Sequence, residues 1–306
     1  MIIRRLISAK IRRMRFPAVC VLIVAIPLSA RAWGEKGHIL VNRLAIQAAA
    51  PQLPPFMGEA ADNLTYNGYE PDRWREEVGT AMNTAQAPDH FLDSEYWGDI
   101  MTLPPDRYAF MAELQKKNLD LIRVGYAPYA IIENYGRLRN AFRRWRAATT
   151  PGDREAAKAN AVFYAGVLGH YVGDGSQPMH MSLHFNGWAD GYPNPKNFTK
   201  DRTFHARYES AYVDAAINEA RVKALVQSPK RMTDVFGSVK EYLKTTFKEL
   251  EVAYELEKTG EFKPESPRTK GTDFITAEIA RGATMLSNLW YTAWVESGEP
   301  VQRPRE

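Results

Sequence analysis

Between Tyr129 and Trp145 the large apolar side chains fall at Tyr129, Ile132, Tyr135, Leu138, Phe142 and Trp145. Steps of three and four place all six on one stripe of an α-helix, which commits this stretch to helix packing. Similar patterns recur along the chain. A helix predicted over 39–50 is stopped by Pro51, Pro54 and Pro55. Thr150, Pro151 and Asp153 read as the N-cap, first-turn proline and first-turn acid of a helix running to about Asp174. Further helices are predicted over 205–226, 233–257 and 272–296, the last carrying Ile275, Ile279, Leu286, Leu289 and Trp290. Turn formers concentrate in 185–199 and 260–271, which read as loops. With no strand-like alternation and no internal repeat, residues 33–306 are expected to form a single all-α domain.

The first 32 residues stand apart. Arg4, Arg5, Lys10, Arg12, Arg13 and Arg15 precede an apolar run from Pro17 to Leu28, and Ala30-Arg31-Ala32 follows as a small-x-small cleavage signal. This is the pattern of a signal peptide, too short in its apolar part for a transmembrane span of roughly 20 residues. A mature chain would begin at Trp33 and be periplasmic or extracellular. The formal net charge of +4 invites a nucleic-acid reading, but seven basic and no acidic residues lie in the leader, so the remainder is acidic. Arg137, Arg139, Arg143, Arg144 and Arg146 therefore read as a solvated helix face. The single cysteine, Cys20, also lies in the leader, which leaves imidazole and carboxylate as the metal ligands of a mature chain.

There are six histidines: His38, His90, His170, His180, His184 and His205. His170 with Asp174, and His205 with Glu209, stand in i,i+4 relation, which puts imidazole and carboxylate on one helix face. Pro178 must end or kink the helix after Asp174 and turn His180 in a new direction. Five histidines with Asp72, Asp174 and Glu209 are too many donors for one zinc and suit two or three. Asp174, flanked by histidines, is the expected bridge.

These residues carry a resemblance. Trp33-Gly34-Glu35-Lys36-Gly37-His38, Tyr69-Glu70-Pro71-Asp72-Arg73-Trp74, His90-Phe91-Leu92-Asp93, HYVGDGSQPMH from His170 to His180, and FHARYE ending at Glu209 resemble the zinc-dependent phospholipase C and S1/P1 nuclease superfamily. The resemblance implies a mostly helical fold holding three zinc ions in a cleft. Carried over, one ion takes Asp72, His90, His170 and Asp174. A second takes the α-amine and carbonyl of Trp33 with His38 and Asp174, so that cleavage before Trp33 becomes a chemical requirement. The third takes His180, His205 and Glu209. Asp62 also precedes His90 and stays an alternative to Asp72. His184 matches no ligand position and is expected to be a surface or loop histidine.

Such a centre would hydrolyse phosphodiesters. Divalent cations neutralise the ester and lower the pKa of a water to near neutrality, with a hydroxide bridging the close pair as nucleophile and Asp72 orienting it or accepting its proton. The third ion would stabilise the departing alkoxide. Glu209, QPMH and FHARYE resemble phospholipase C, the preferred reading; WGEKGH and PDRW resemble nucleases of single-stranded DNA and RNA, the alternative. A zinc-binding protein without turnover is a third reading. Phe91, Tyr66, Tyr96, Trp97, Trp188 and Tyr192 could line the approach to either a lipid headgroup or a base. A phospholipid substrate would bring transient contact with a membrane surface; no stable protein partner is implied, and a monomer is expected. The long interval between His90 and His170 is expected to add a helix or lid that narrows the cleft.

Overall fold

The computed structural model describes residues 33–301. The leader, with Cys20 and Ala30-Arg31-Ala32, lies outside the described residues. Among the described residues every regular element is helical. The helices are α1 (Gly34–Ala49), α2 (Pro55–Glu59), α3 (Ala61–Asn67), α4 (Glu70–Arg73), α5 (Ala81–Gln86), α6 (Ser94–Trp97) and α7 (Arg107–Lys116), followed by the long pair α8 (Ala127–Ala147) and α9 (Pro151–Asp174). After them come α10 (Phe204–Ala206), α11 (Tyr212–Ala216), α12 (Glu219–Lys223), α13 (Val235–Lys248), α14 (Leu250–Lys258) and α15 (Thr269–Ser297).

The core sits where α1, α8, α9 and α15 pack on one another. Helix α9 starts as read: the Thr150 hydroxyl accepts the Asp153 N–H at 3.1 Å and donates to the Asp153 carboxylate at 2.7 Å. Its last ten residues, 165–174, are all buried, so this half is enclosed on every side and needs no polar face. Small residues make the enclosure possible. A Cβ at Gly169 would lie 2.3 Å from the Asn42 amide oxygen, and one at Gly173 would lie 2.9 Å from the His38 ring. Helix α1 therefore approaches α9 closely enough for the rings of His38 and His170 to stack at 4.0 Å.

Helix α8 buries Tyr129, Tyr135, Leu138 and Phe142 as its stripe demands. Arg137 and Arg144 are exposed, as a solvated face requires, but its other three arginines correct that reading. Arg139 binds the Glu296 carboxylate at 2.7 Å, Arg143 donates to the Glu296 carbonyl at 3.2 Å, and Arg146 donates to Ser297 Oγ at 2.9 Å. Three guanidinium groups thus satisfy the C-terminal end of α15, where carbonyls and helix dipole both favour positive charge.

Three element boundaries differ from expectation. Helix α1 begins at Gly34, five residues before Ile39, because left-handed backbone at Trp33 and Gly34 turns the chain directly into it. The predicted 205–226 helix is α10, a π turn over Arg207–Ala211, α11 and α12. It breaks at Ile217, whose backbone is extended, and Asn218 restarts it by accepting the N–H of Ala220 at 2.9 Å and of Arg221 at 3.3 Å. The predicted 233–257 helix is divided at Glu249 into α13 and α14.

Candidate metal centre and its cleft

The chain brings eight sequence-predicted donors to one place. His38 comes from α1, Asp72 from α4, His90 from the 3-10 turn Ala87–His90, and His170 with Asp174 from the end of α9. His180 comes from the 3-10 turn Pro178–Met181, His205 from α10 and Glu209 from the π turn. None is more than 5% exposed. Asp62, the alternative to Asp72, is exposed on α3.

Asp174 lies at the middle. One of its oxygens is 3.4 Å from His38 Nε2 and 3.8 Å from His180 Nδ1; the other is 2.9 Å from His90 Nδ1 and 3.4 Å from His170 Nε2. Asp72 Oδ1 is 3.9 Å from both His90 Nδ1 and His170 Nε2 and contacts the Arg75 guanidinium. Donor atoms converge within 4.8 Å in three groups: His38, Asp72 and His170; His90, His170 and Asp174; and His180, His205 and Glu209. Asp72 thus falls with His38 as well as with the His90 pair. Ligands of a tetrahedral zinc, about 2.0–2.2 Å from the ion, lie roughly 3.3 Å from one another, so the spacings fit.

The hydrogen-bonding pattern fits as well. His170 Nδ1 is 2.9 Å from the Gly68 carbonyl and His180 Nδ1 is 2.7 Å from the His90 carbonyl, so each Nδ1–H donates outward and each Nε2 lone pair faces inward. Both ring nitrogens of His38, with Asp72 Oδ2, His180 Nε2 and Glu209 Oε1, are buried with no hydrogen-bond partner. Buried polar atoms in that number are costly unless a cation satisfies them. In the third group Gln177 Nε2 donates to Glu209 Oε2 at 3.2 Å and to His205 Nε2 at 3.0 Å, and its Oε1 accepts the Met179 N–H at 2.7 Å. Gln177 thereby ties the turn carrying His180 to the helix carrying His205.

Burial holds His38, His90, His170 and His180 below the usual imidazole range, in the neutral form that ligates. Burial also lifts Asp174 well above the usual carboxyl range, helped by the charges of Asp72 and Glu209. Burial pushes Glu209 the same way, but His205 and His180 outweigh it and bring Glu209 down to about 2.

Trp33 is fully buried beside this set. Its indole donates to Ser176 Oγ at 2.8 Å, and its carbonyl accepts the Gly37 N–H at 3.0 Å. His184 lies in none of the three groups, yet it is not a surface residue. It is 6% exposed, stacks on Trp188 at 3.8 Å and accepts the Ala189 N–H at Nδ1. It supports the loop from within.

A cleft of about 550 Å³ opens over His90, His180 and His205. Asp93, Tyr96, Ile122 and Arg123 form one part of its wall, so the long interval between His90 and His170 contributes to the lining of the cleft. Leu183, Phe185 and Tyr192 form another part. Of the six aromatic candidates, Phe91, Tyr96 and Tyr192 line it. Tyr66 is 59% exposed elsewhere beneath Arg73, Trp97 packs edge-on against Phe110, and Trp188 is buried under His184. Three polar lining residues were missed in the sequence: Arg75, Asp93 and Arg123. Arg75 lies one helical turn beyond Asp72, and Asp93 closes the HFLD motif, so both carried a spacing signal; Arg123, in an irregular segment, carried none.

No family model matches the sequence, and no curated protein matches it. Among solved structures the chain is similar to the alpha toxin from Clostridium absonum, with 13% identity and a TM-score of 0.47, over 88% of this chain and 67% of that one.

Proposed function

We propose that the chain is a zinc-dependent phosphodiesterase that cleaves single-stranded nucleic acid. The three donor groups and the motifs of the phospholipase C and S1/P1 nuclease superfamily support the reaction class. One observation carries the choice of substrate: beside the centre, the Phe91 ring and the buried Asp93 carboxyl line the same recess. Burial, with the neighbouring Glu95 charge, raises Asp93 to about 8, so its carboxyl is protonated at neutral pH. A protonated carboxyl offers one donor and one acceptor, the complement of a base edge, while the ring offers a stacking surface.

Zinc would be held by His38, Asp72, His90, His170, Asp174, His180, His205 and Glu209, with the main chain of Trp33, and would supply charge neutralisation and a water of near-neutral pKa. The chain's own groups do the rest. Arg75, at the edge of the cleft, directs a fixed positive charge at the phosphate. Asp72 has one oxygen held by Arg75 and the other buried without a hydrogen-bond partner among the donors, where it would face zinc and orient the zinc-bound water.

A second reading, phospholipid cleavage, keeps support from Glu209 and from Ile122 and Phe185, 55% and 44% exposed at the cleft mouth. Zinc-loaded protein assayed side by side on phosphatidylcholine micelles and on single-stranded DNA and RNA separates the two. The expected result is the larger kcat/KM on nucleic acid; diacylglycerol release with negligible strand cleavage overturns it.

The same reading requires export and processing before Trp33, supported by the leader pattern and by the left-handed turn that leads from Trp33 into α1. Intact mass of the secreted protein should begin at Trp33. Protein retaining residues 1–32 should bind less zinc, because an amide nitrogen is a poor ligand; equal zinc content in both forms would refute the amine ligand.

A further inference from the structure

Two arginines line the cleft at different depths. Arg75, whose side chain is 13% exposed, lies at the centre against Asp72; Arg123, whose side chain is 80% exposed, stands at the mouth. Backbone bonds fix where Arg123 stands. The Asp93 N–H donates to the Val124 carbonyl at 2.8 Å, the Ala127 N–H to the Phe91 carbonyl at 3.0 Å, and the Tyr126 N–H to the Pro88 carbonyl at 2.7 Å. Gly125 permits this pairing: its φ is +84°, and a side chain there would collide with the Phe91 carbonyl. Residues 123–127 are thus fastened along the segment that carries His90, Phe91 and Asp93. Arg123 itself is weakly engaged. Its Nε faces the Asp120 carboxylate at 3.6 Å, the Ile122 N–H donates to the same carboxylate at 2.9 Å, and among the described residues no hydrogen bond engages the terminal nitrogens of Arg123. An exposed ion pair of this length contributes little.

We propose that Arg123 binds a second phosphate of the strand, on the far side of the nucleotide whose base lies between Phe91 and Asp93. This rests on the nucleic-acid reading above. A nucleotide inside a strand carries a phosphate on each side of its sugar. With its base in the recess and one phosphate at the metal centre, the other leaves toward the mouth, where the planar Arg123 fork offers two parallel donors. The deep arginine then serves the bond that is cut, and the outer one serves a bond that is kept. The enzyme accordingly favours a nucleotide with phosphates on both sides over a terminal nucleotide with one.

The test uses the zinc-loaded protein, wild type and Arg123→Gln, on three deoxythymidine dinucleotides with a single internucleotide linkage: one without a terminal phosphate, one with a 5′-phosphate and one with a 3′-phosphate. Cleavage of the linkage is followed. One nucleotide of the pair occupies the recess, so one of the two terminal phosphates reaches Arg123. In wild type that phosphate should raise kcat/KM roughly 3- to 10-fold over the unphosphorylated dinucleotide, the range of a charge-assisted contact weakened by solvent, and the gain should shrink in high salt. In Arg123→Gln the ratio should fall to about 1. A ratio that survives in Arg123→Gln overturns the proposal, as does a wild type that gains from neither phosphate or equally from both. Failure of the nucleic-acid reading looks different: wild type then leaves all three dinucleotides intact and releases diacylglycerol from phosphatidylcholine micelles, and the second-phosphate site falls with that reading.

Discussion

Asp174 carries more of the centre than any other side chain, because its two oxygens face four imidazoles from four different segments. Asn at this position keeps the shape and removes the charge that would lie between cations. Asp174→Asn is expected to lower phosphodiester turnover by more than about 100-fold and to lower zinc stoichiometry, whereas His184→Ala should retain its zinc. Metal analysis with turnover of both variants decides it; zinc loss from His184→Ala beside full activity in Asp174→Asn contradicts the donor set. Asp93 gives a pH signature. Its folded-state value near 8 lies above the ordinary carboxyl range, so the folded protein holds this proton more tightly than the unfolded chain does. The stabilisation is complete below the unfolded value and is lost as pH rises through about 8. Base recognition depends on the same proton. The kcat/KM on single-stranded DNA should fall as pH passes through about 8, and Asp93→Asn, which stays neutral, should flatten that limb. A limb identical in both proteins would assign the titration elsewhere.

Helix contacts set the donor positions, and two glycines predict opposite outcomes. At Gly169 a methyl group would collide with the Asn42 amide at the crossing of α1 and α9, so Gly169→Ala should cost about 1–3 kcal/mol and weaken zinc binding by parting His38 from His170. Nothing lies within 4 Å of a methyl at Gly136 in α8, where alanine should stabilise by up to about 1 kcal/mol through helix propensity alone. Denaturant unfolding of both variants, with zinc titration of the first, tests the pair. The same elements show how far the sequence could be read. Thr150, Pro151 and the α8 stripe were legible because caps and periodicity are local. The break at Ile217 was half legible, through Asn218 as a cap, but the π turn that carries Glu209, packed against α1, has no residue of its own to announce it. Arg139, Arg143 and Arg146 do not follow the solvated-face reading for a similar reason: their partners at Glu296 and Ser297 lie more than 150 residues away, beyond any local pattern. For the centre, the i,i+4 pairs and Pro178 were visible in the sequence, whereas the cleft walls arise from irregular segments that only the fold brings together.

At the scale of the whole molecule, the donors tie the first helix to the end of α9, more than 130 residues further on, in a chain whose one cysteine is Cys20. Metal should therefore hold the fold together as well as serve its chemistry. At a free zinc concentration 1,000 times the dissociation constant, each site adds about 4 kcal/mol. Chelation is expected to lower Tm by roughly 10 °C or more, and added zinc should restore it. Scanning calorimetry with metal analysis checks this; an unmoved Tm in demonstrably zinc-free protein contradicts it. The two cleft walls have a different standing. Residues 93–123 and 183–192 shape what can enter, and neither stretch contains any of the eight donors. Over evolutionary time the two can change independently. Substitutions, insertions or exchanges in the walls can redirect a lineage to new substrates while the inherited reaction centre stays as it was.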